Sequence, residues 1–253
     1  MSETDPMMEK VVELWRDRRY QEGSSEAVYA TLREAILSKV LRPGPQFAEE
    51  DLARVFGVSR TPIREAILRL ESEHLMERRG RRRVSVSEIS PAEVLEIYDV
   101  RVVLDGLAAE LAARHATPPE IAQLHWVTER MKAADERADF QTVSALSLEW
   151  HEWLARASRN SFLLSQIRMV HDRVRRFERT TFEYPGRGVE AIAEHEQILE
   201  AVRAGDAAAA AELAKTHMLN AKKVRLAMVE GNVPANSQRS GESARKGSDE
   251  MRQ

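Results

Sequence analysis

Residues 56–70, from Phe56 to Leu70, constrain the path of the chain more tightly than any other stretch. Gly57 suits a corner with φ > 0. Ser59 and Thr61 are good N-cap residues, and Pro62 suits the first helical turn. From Ile63 onward, Ile63, Ala66, Ile67 and Leu70 fall on one helical face, and Arg60, Arg64 and Arg69 fall opposite. Hydroxyls and guanidiniums at a helix N-terminus suit phosphates and base edges.

The segment before it, 49–56, reads as a short helix. The pair makes a helix-turn-helix with a recognition helix at about 61–72. Residues 75–86 read as a hairpin: a strand, a basic tip containing Gly80, then an alternating strand. Such a hairpin is a wing. A run of charge alone is usually solvated surface. Cap, turn, apolar face and basic hairpin in this order favour DNA binding.

Charge distribution points the same way. The 253 residues carry a net charge of −3, yet residues 54–83 hold nine Arg against four Glu, a local +5 on a remainder of −8. A basic module on an acidic body is an electrostatic footprint for phosphate. Cysteine is absent, which excludes disulfides and thiolate sites. No run of eighteen apolar residues suggests a membrane span, and the acidic N-terminus lacks the features of a signal peptide, so a cytoplasmic protein is expected.

Val58 to Ala66 resembles the signature of GntR-family transcription regulators. The match extends from about Ser24 to about Ser90, the length of a winged helix-turn-helix domain. The chain beyond Ser90 resembles the all-helical effector domain of the FadR subfamily, the FCD domain, so that the two resemblances cover about 24–229.

The expected fold is mainly α: an N-terminal winged helix-turn-helix with a small β-hairpin wing, then an antiparallel all-α bundle. The expected division is a 1–23 extension, a 24–89 DNA-binding domain, a 90–229 effector-binding and dimerisation domain, and a disordered 230–253 tail. Ser90-Pro91-Ala92-Glu93 is a capping box that starts the bundle. Bundle helices are expected at 91–115, from 117 to about 138, from about 140 to 157, from 161 to about 182, from about 188 to 203, and at 206–229. In the first, Val94, Ile97, Val100, Leu104, Leu107 and Leu111 are core candidates.

Three histidines stand out. His195 lies ten residues before Gly205 and His217 eleven after Asp206, so an antiparallel hairpin sets them at nearly one height. His151 lies mid-helix and could complete a site inside the bundle. On spacing alone, a buried His paired with a carboxylate is the commoner outcome. The family resemblance implies a divalent metal held by one Asp and three His, the Asp four residues before the first His and the last two His 22 apart. His195 and His217 fit that spacing and His151 takes the matching place, but Ser147 stands where the family usually has Asp. Three imidazoles suffice for Zn or Ni, with water or an effector carboxylate completing the shell.

Arg101 lies one turn before Asp105. It is either half of an ordinary helix pair or, as the resemblance implies, a clamp for an effector carboxylate. Ser147, Arg168, Arg175 and Asn220 are further effector-site candidates.

The expected function is a ligand-responsive transcription regulator, a repressor sensing a small organic acid. A homodimer would match a palindromic operator in double-stranded DNA. Arg60 and Arg64 are the candidates for base readout, Ser59 and Thr61 for phosphates or base edges, and Arg81, Arg82 and Arg83 for backbone or minor groove. Where the family often offers a basic residue on the helix before the turn, this chain has Glu50. Two rival readings exist. One is a helical domain that only dimerises. The other is an enzyme in which the histidines and Glu149, Glu152 or Glu194 activate water, but an enzyme has no use for the winged module.

Overall fold

The structure is a computed structural model, and it describes residues 6–18, 24–80, 83–177 and 179–231. Helix α1 (Pro6–Arg18) lies within the expected N-terminal extension. Its Val11 and Trp15 are buried in the winged-domain core, where Trp15 meets Phe56 edge-to-face at 5.0 Å. Helix α2 (Ser24–Leu37), strand β1 (Gln46–Ala48), α3 (Glu49–Phe56), α4 (Arg60–Ser72), β2 (Met76–Arg78) and β3 (Arg83–Val86) complete the winged domain.

The wing holds one strand more than a hairpin. β3 is central, with β1 and β2 both antiparallel to it. Residues 46–48 pair with β3 so that Phe47 faces Val84.

The bundle comprises α5 (Pro91–His115), α6 (Pro118–Glu136), α7 (Phe140–Ala157), α8 (Ser161–Arg175), α9 (Arg187–Ala204) and α10 (Ala207–Val229). Ser90 caps α5 by accepting from the Glu93 amide, and Thr117 with Glu120 forms a reciprocal capping box on α6. Helix α8 ends at Arg175, short of the expected 182. The chain then buries Phe177 and makes a 3₁₀ turn at Thr181–Glu183, capped by Thr180 and Glu183. Residues 232–253, expected as a disordered tail from 230, lie outside the described residues, while Glu230 and Gly231 close the end of α10.

The expected core face of α5 is corrected in part. Val94 and Ile97 are buried, but Val100 and Leu107 face outward, at 48% and 39% exposure, beside Val103, which no core expectation included, at 64%. The inward face instead carries Tyr98, Arg101, Asp105, Ala108, Ala109 and Ala112. Small residues there let α5 lie close against α10, whose Ala210, Ala211, Ala214 and Ala221 are also buried. Close backbone approach leaves no room for the larger aliphatic side chains on that side.

Helix α8 joins the two domains. Asp172 pairs with Arg33 of α2. Arg176, just past the helix, donates to the His74 carbonyl at 3.1 Å and to the Ser87 carbonyl. One element therefore touches the winged domain on one side and the bundle interior on the other.

Candidate functional site

The residues expected to face DNA are placed by a sharp turn. Gly57 takes the left-handed conformation (φ 65°) after α3, and Ser59 is the extended N-cap of α4, with no side-chain cap hydrogen bond. Helix α4 buries Ile63, Ala66, Ile67 and Leu70. Ser59, Thr61 and Arg64 are exposed at its start, with Arg60 beside them. Arg69 belongs elsewhere: it sits over the Tyr29 ring at 3.5 Å and donates to Glu26 at 2.7 Å. It fastens α4 to α2.

Arg60 and Arg64 are held by carboxylates from α3. Arg64 donates to Glu49 at 2.8 Å, and Arg60 to Glu50 at 2.9 Å. Glu49 is buried and also accepts from Arg78 at 2.9 Å. Burial acts to raise its carboxyl pKa, but the Arg64 and Arg78 hydrogen bonds outweigh it and hold the group below its ordinary value. The side chains of Arg60 and Arg64 still expose 41% and 56% of their surface, so each has donors open to a further partner. Arg83 starts β3 and is exposed; Arg81 and Arg82 lie outside the described residues.

The second site is in the bundle. His151 on α7, His195 on α9 and His217 on α10 are all buried, and their ligand atoms lie within 4.8 Å of one another. Nε2 of His151 faces Nε2 of His195 at 3.3 Å. An oxygen stands near Nδ1 of two of the rings, those of His217 and His151. His217 Nδ1 is 2.5 Å from Glu194 Oε2. His151 Nδ1 is 2.8 Å from Asp105 Oδ1, an ion-pair distance without hydrogen-bond alignment. His195 Nδ1 is buried and has no hydrogen-bond partner among the described residues.

Burial pushes all three histidines below their ordinary pKa, His217 to about 4. At neutral pH they are uncharged imidazoles, each with a lone pair on one ring nitrogen. Glu194 goes down to about 2: burial opposes this, and hydrogen bonds with His217 and Arg187 overcome it. Arg187 grips Glu194 through two nitrogens, at 3.0 and 2.7 Å.

The cluster opens on a cavity of about 440 Å³ lined by Arg101, Ser147, His151, Arg175, Arg187 and His217 among others, with Glu34, Leu37, Ser38 and Lys39 on the winged-domain side. Arg101 is buried, its Nε 3.4 Å from Asp105 Oδ2. Two effector-site expectations are corrected. Arg168 lies outside the cavity, doubly bound to Glu152 on the surface at 3.0 and 2.7 Å. Asn220 does not line it either; it donates to Glu194 at 2.7 Å and so steadies the partner of His217.

Three further groups at the site escape sequence reasoning: Asp105 as a histidine partner, Glu194 with Arg187, and His171, which is buried with its ring 6.3 Å from that of His151. Asp105 is visible in sequence as the i+4 neighbour of Arg101. Nothing in the sequence points Glu194 toward His217.

The comparisons with known proteins decide the family. Residues 24–86 match the model of bacterial regulatory proteins of the gntR family, and residues 96–220 match the FCD domain. A regulator from the TAR-I ttuE-ttuC' intergenic region of Agrobacterium vitis is 37% identical over 149 residues, 58% of this chain and 87% of that protein. The chain belongs to the GntR family of transcription regulators. YdhC of Bacillus subtilis, an HTH-type regulator, is 31% identical over 76% of this regulator and 84% of its own length. The gluconate operon repressor of Bacillus licheniformis is 33% identical over 54% of this chain and 56% of that one. The solved structure of Escherichia coli McbR/YncC shares the fold with a TM-score of 0.66 at 22% identity, covering 83% of this chain and 100% of that one.

The protein is therefore a DNA-binding transcription regulator with an FCD effector domain, and not an enzyme. The acids that could activate water are otherwise engaged: Glu149 with Arg130, Glu152 with Arg156 and Arg168, Glu194 with Arg187 and His217. No described helix is long and apolar enough to cross a membrane.

Proposed function

We propose that this regulator is a cytoplasmic, homodimeric repressor of a palindromic operator, and that it senses a small organic acid in a cavity whose histidines hold a divalent metal, Zn or Ni. The observation that carries the reading is the buried triad His151, His195 and His217, uncharged and opening on the cavity that Arg101 lines.

The residues fit such an ion. Two nitrogens bound about 2.0–2.1 Å from a tetrahedral ion stand about 3.3–3.4 Å apart, and the Nε2 atoms of His151 and His195 stand at 3.3 Å. Acceptors lie behind the Nδ1 atoms of His151 and His217, the usual arrangement that orients ligating imidazoles. An ion held there supplies a coordination position for a carboxylate. Ser147 leaves the fourth protein ligand absent, so that position is open.

Arg101 then neutralises the acid, and Ser147 offers a hydroxyl. On the opposite wall Glu34 and Leu37 belong to α2, which packs on the recognition helix, and Ser38 and Lys39 continue from it. An acid that touches both walls binds one domain arrangement better than another, and that difference in affinity biases DNA binding. A repressor role is supported by the gluconate operon repressor among the relatives.

The homodimer has a candidate face. Val100, Val103 and Leu107 of α5 and Leu219 and Leu226 of α10 are exposed on the paired helices, where Lys222 bonds Asp99 across the seam. A second copy burying this stripe places two recognition helices on two half-sites.

Elemental analysis of the purified chain beside His195→Ala tests the centre. Near-stoichiometric metal in the wild type, lost in the variant, is the expected result. Metal in neither protein overturns the metal reading and leaves direct binding of the acid by Arg101.

A further inference from the structure

A second cavity, of about 710 Å³, lies between the domains. The winged domain contributes Ile36, Leu41 and Val86; the bundle and its connection contribute Ile89, Val94 and Met228. Its charges are one-sided. Lys39, Arg42, Arg176, Arg179 and Arg225 line it against one acid, Glu88.

Two of these guanidiniums make no close ion pair among the described residues: partly buried Arg176, on which the Glu93 carboxylate acts from further off, and fully buried Arg225. Arg225 is only 6% exposed; it donates to the Arg179 carbonyl at 2.8 Å and lies 4.8 Å from the Phe177 ring, and its Nε has no hydrogen-bond partner. Arg176 donates to the His74 and Ser87 carbonyls. Among the described residues neither has a carboxylate within 4.0 Å, whereas buried Arg101 and Arg187 each have one. A buried cation without a counter-ion is costly, and an anion that enters removes that cost.

We infer that this interdomain cleft is a second ligand site, separate from the histidine cavity, that takes an amphipathic monoanion: one carboxylate or comparable group on a compact apolar body. The anion meets Arg176 and Arg225. The apolar body covers half-buried Ile89 and Met228 and abuts buried Val94. Lys39, Phe177, Arg179 and Arg225 line both cavities, so the two sites share a wall and occupancy of one is felt at the other. The cleft exists only while the domains hold this arrangement, so its ligand stabilises that arrangement.

The probe is 4-phenylbutyrate, titrated calorimetrically into the full chain beside its neutral analogue 4-phenylbutanol. The acid is expected to bind saturably and about tenfold tighter than the alcohol, since a charge-assisted contact is lost in the alcohol. Arg176→Gln and Ile89→Glu, both confined to the cleft, are each expected to weaken it by about tenfold or more. His195→Ala is expected to bind as the wild type does. Circular dichroism identifies a variant that does not fold, and the other then carries the test. No saturable binding, or equal affinity for acid and alcohol, overturns the inference. So does binding lost in His195→Ala but kept in both cleft variants, which places the acid in the histidine cavity instead.

Discussion

The Nε2 atoms of His151 and His195 face each other at 3.3 Å, although 44 positions separate the residues in sequence. Asp105 stands behind the first ring, 2.8 Å from its Nδ1. Depending on the tautomers, the two uncharged imidazoles share one hydrogen bond or turn both lone pairs to a common ligand.

Asp105 is expected to orient His151. Partners of this kind are typically worth about 10–100-fold in metal affinity, and Asp105→Asn should lose that much for Zn in a chelator-competition titration. Unchanged affinity would remove Asp105 from this role.

Ser147 lies one turn before His151 and is buried at the cavity wall. Ser147→Asp places a carboxylate there and should tighten Zn binding by about tenfold or more in the same titration. Weaker binding would mean that the added charge is not beside the imidazoles.

Arg64→Ala should weaken operator binding by about 1–3 kcal/mol and relax the preference at its base, as should Arg60→Ala. Glu50→Gln acts in the other direction, since Glu50 holds Arg60 at 2.9 Å and sets a negative charge on α3. Fluorescence anisotropy with operator and unrelated duplexes should show tighter binding to both. Weaker binding by Glu50→Gln would instead make Glu50 a support that Arg60 requires.

Glu49 makes the winged domain acid-sensitive. Its folded pKa lies below the ordinary 4.5 despite burial, because Arg64 and Arg78 bind it. A group with a depressed folded pKa adds stability above its unfolded pKa and loses it as pH falls through the folded one. In urea titrations, Glu49→Gln should therefore be less stable than wild type at pH 7, with the gap closing as pH drops below about 4.5. A constant gap would show that the ionised carboxylate is not what matters.

Val103 is the most exposed member of the α5 stripe. Val103→Glu should shift sedimentation from dimer to monomer and weaken operator binding while leaving the helical content intact. A dimer that persists would move the interface elsewhere.

Much of this fold is written locally. Gly57, the Ser59 cap position and the period of Ile63, Ala66, Ile67 and Leu70 fix a turn and a helix with interactions only a few residues long. The Ser90 cap and the capping box at Thr117 do the same for the bundle. The 22-residue spacing of His195 and His217 survives folding because a tight turn at Gly205-Asp206 pairs the two helices at one height. Those features the sequence determined by itself. Tertiary structure decided the rest, because it depends on which helix face meets which neighbour. Periodicity places Val100 and Leu107 with the core, but the close α5–α10 contact admits small side chains and turns the larger ones outward. Asp105 reaches His151, Glu194 reaches His217 and Arg168 is drawn away to Glu152 through packing between separate helices, and no local pattern encodes the direction of a side chain across such a gap.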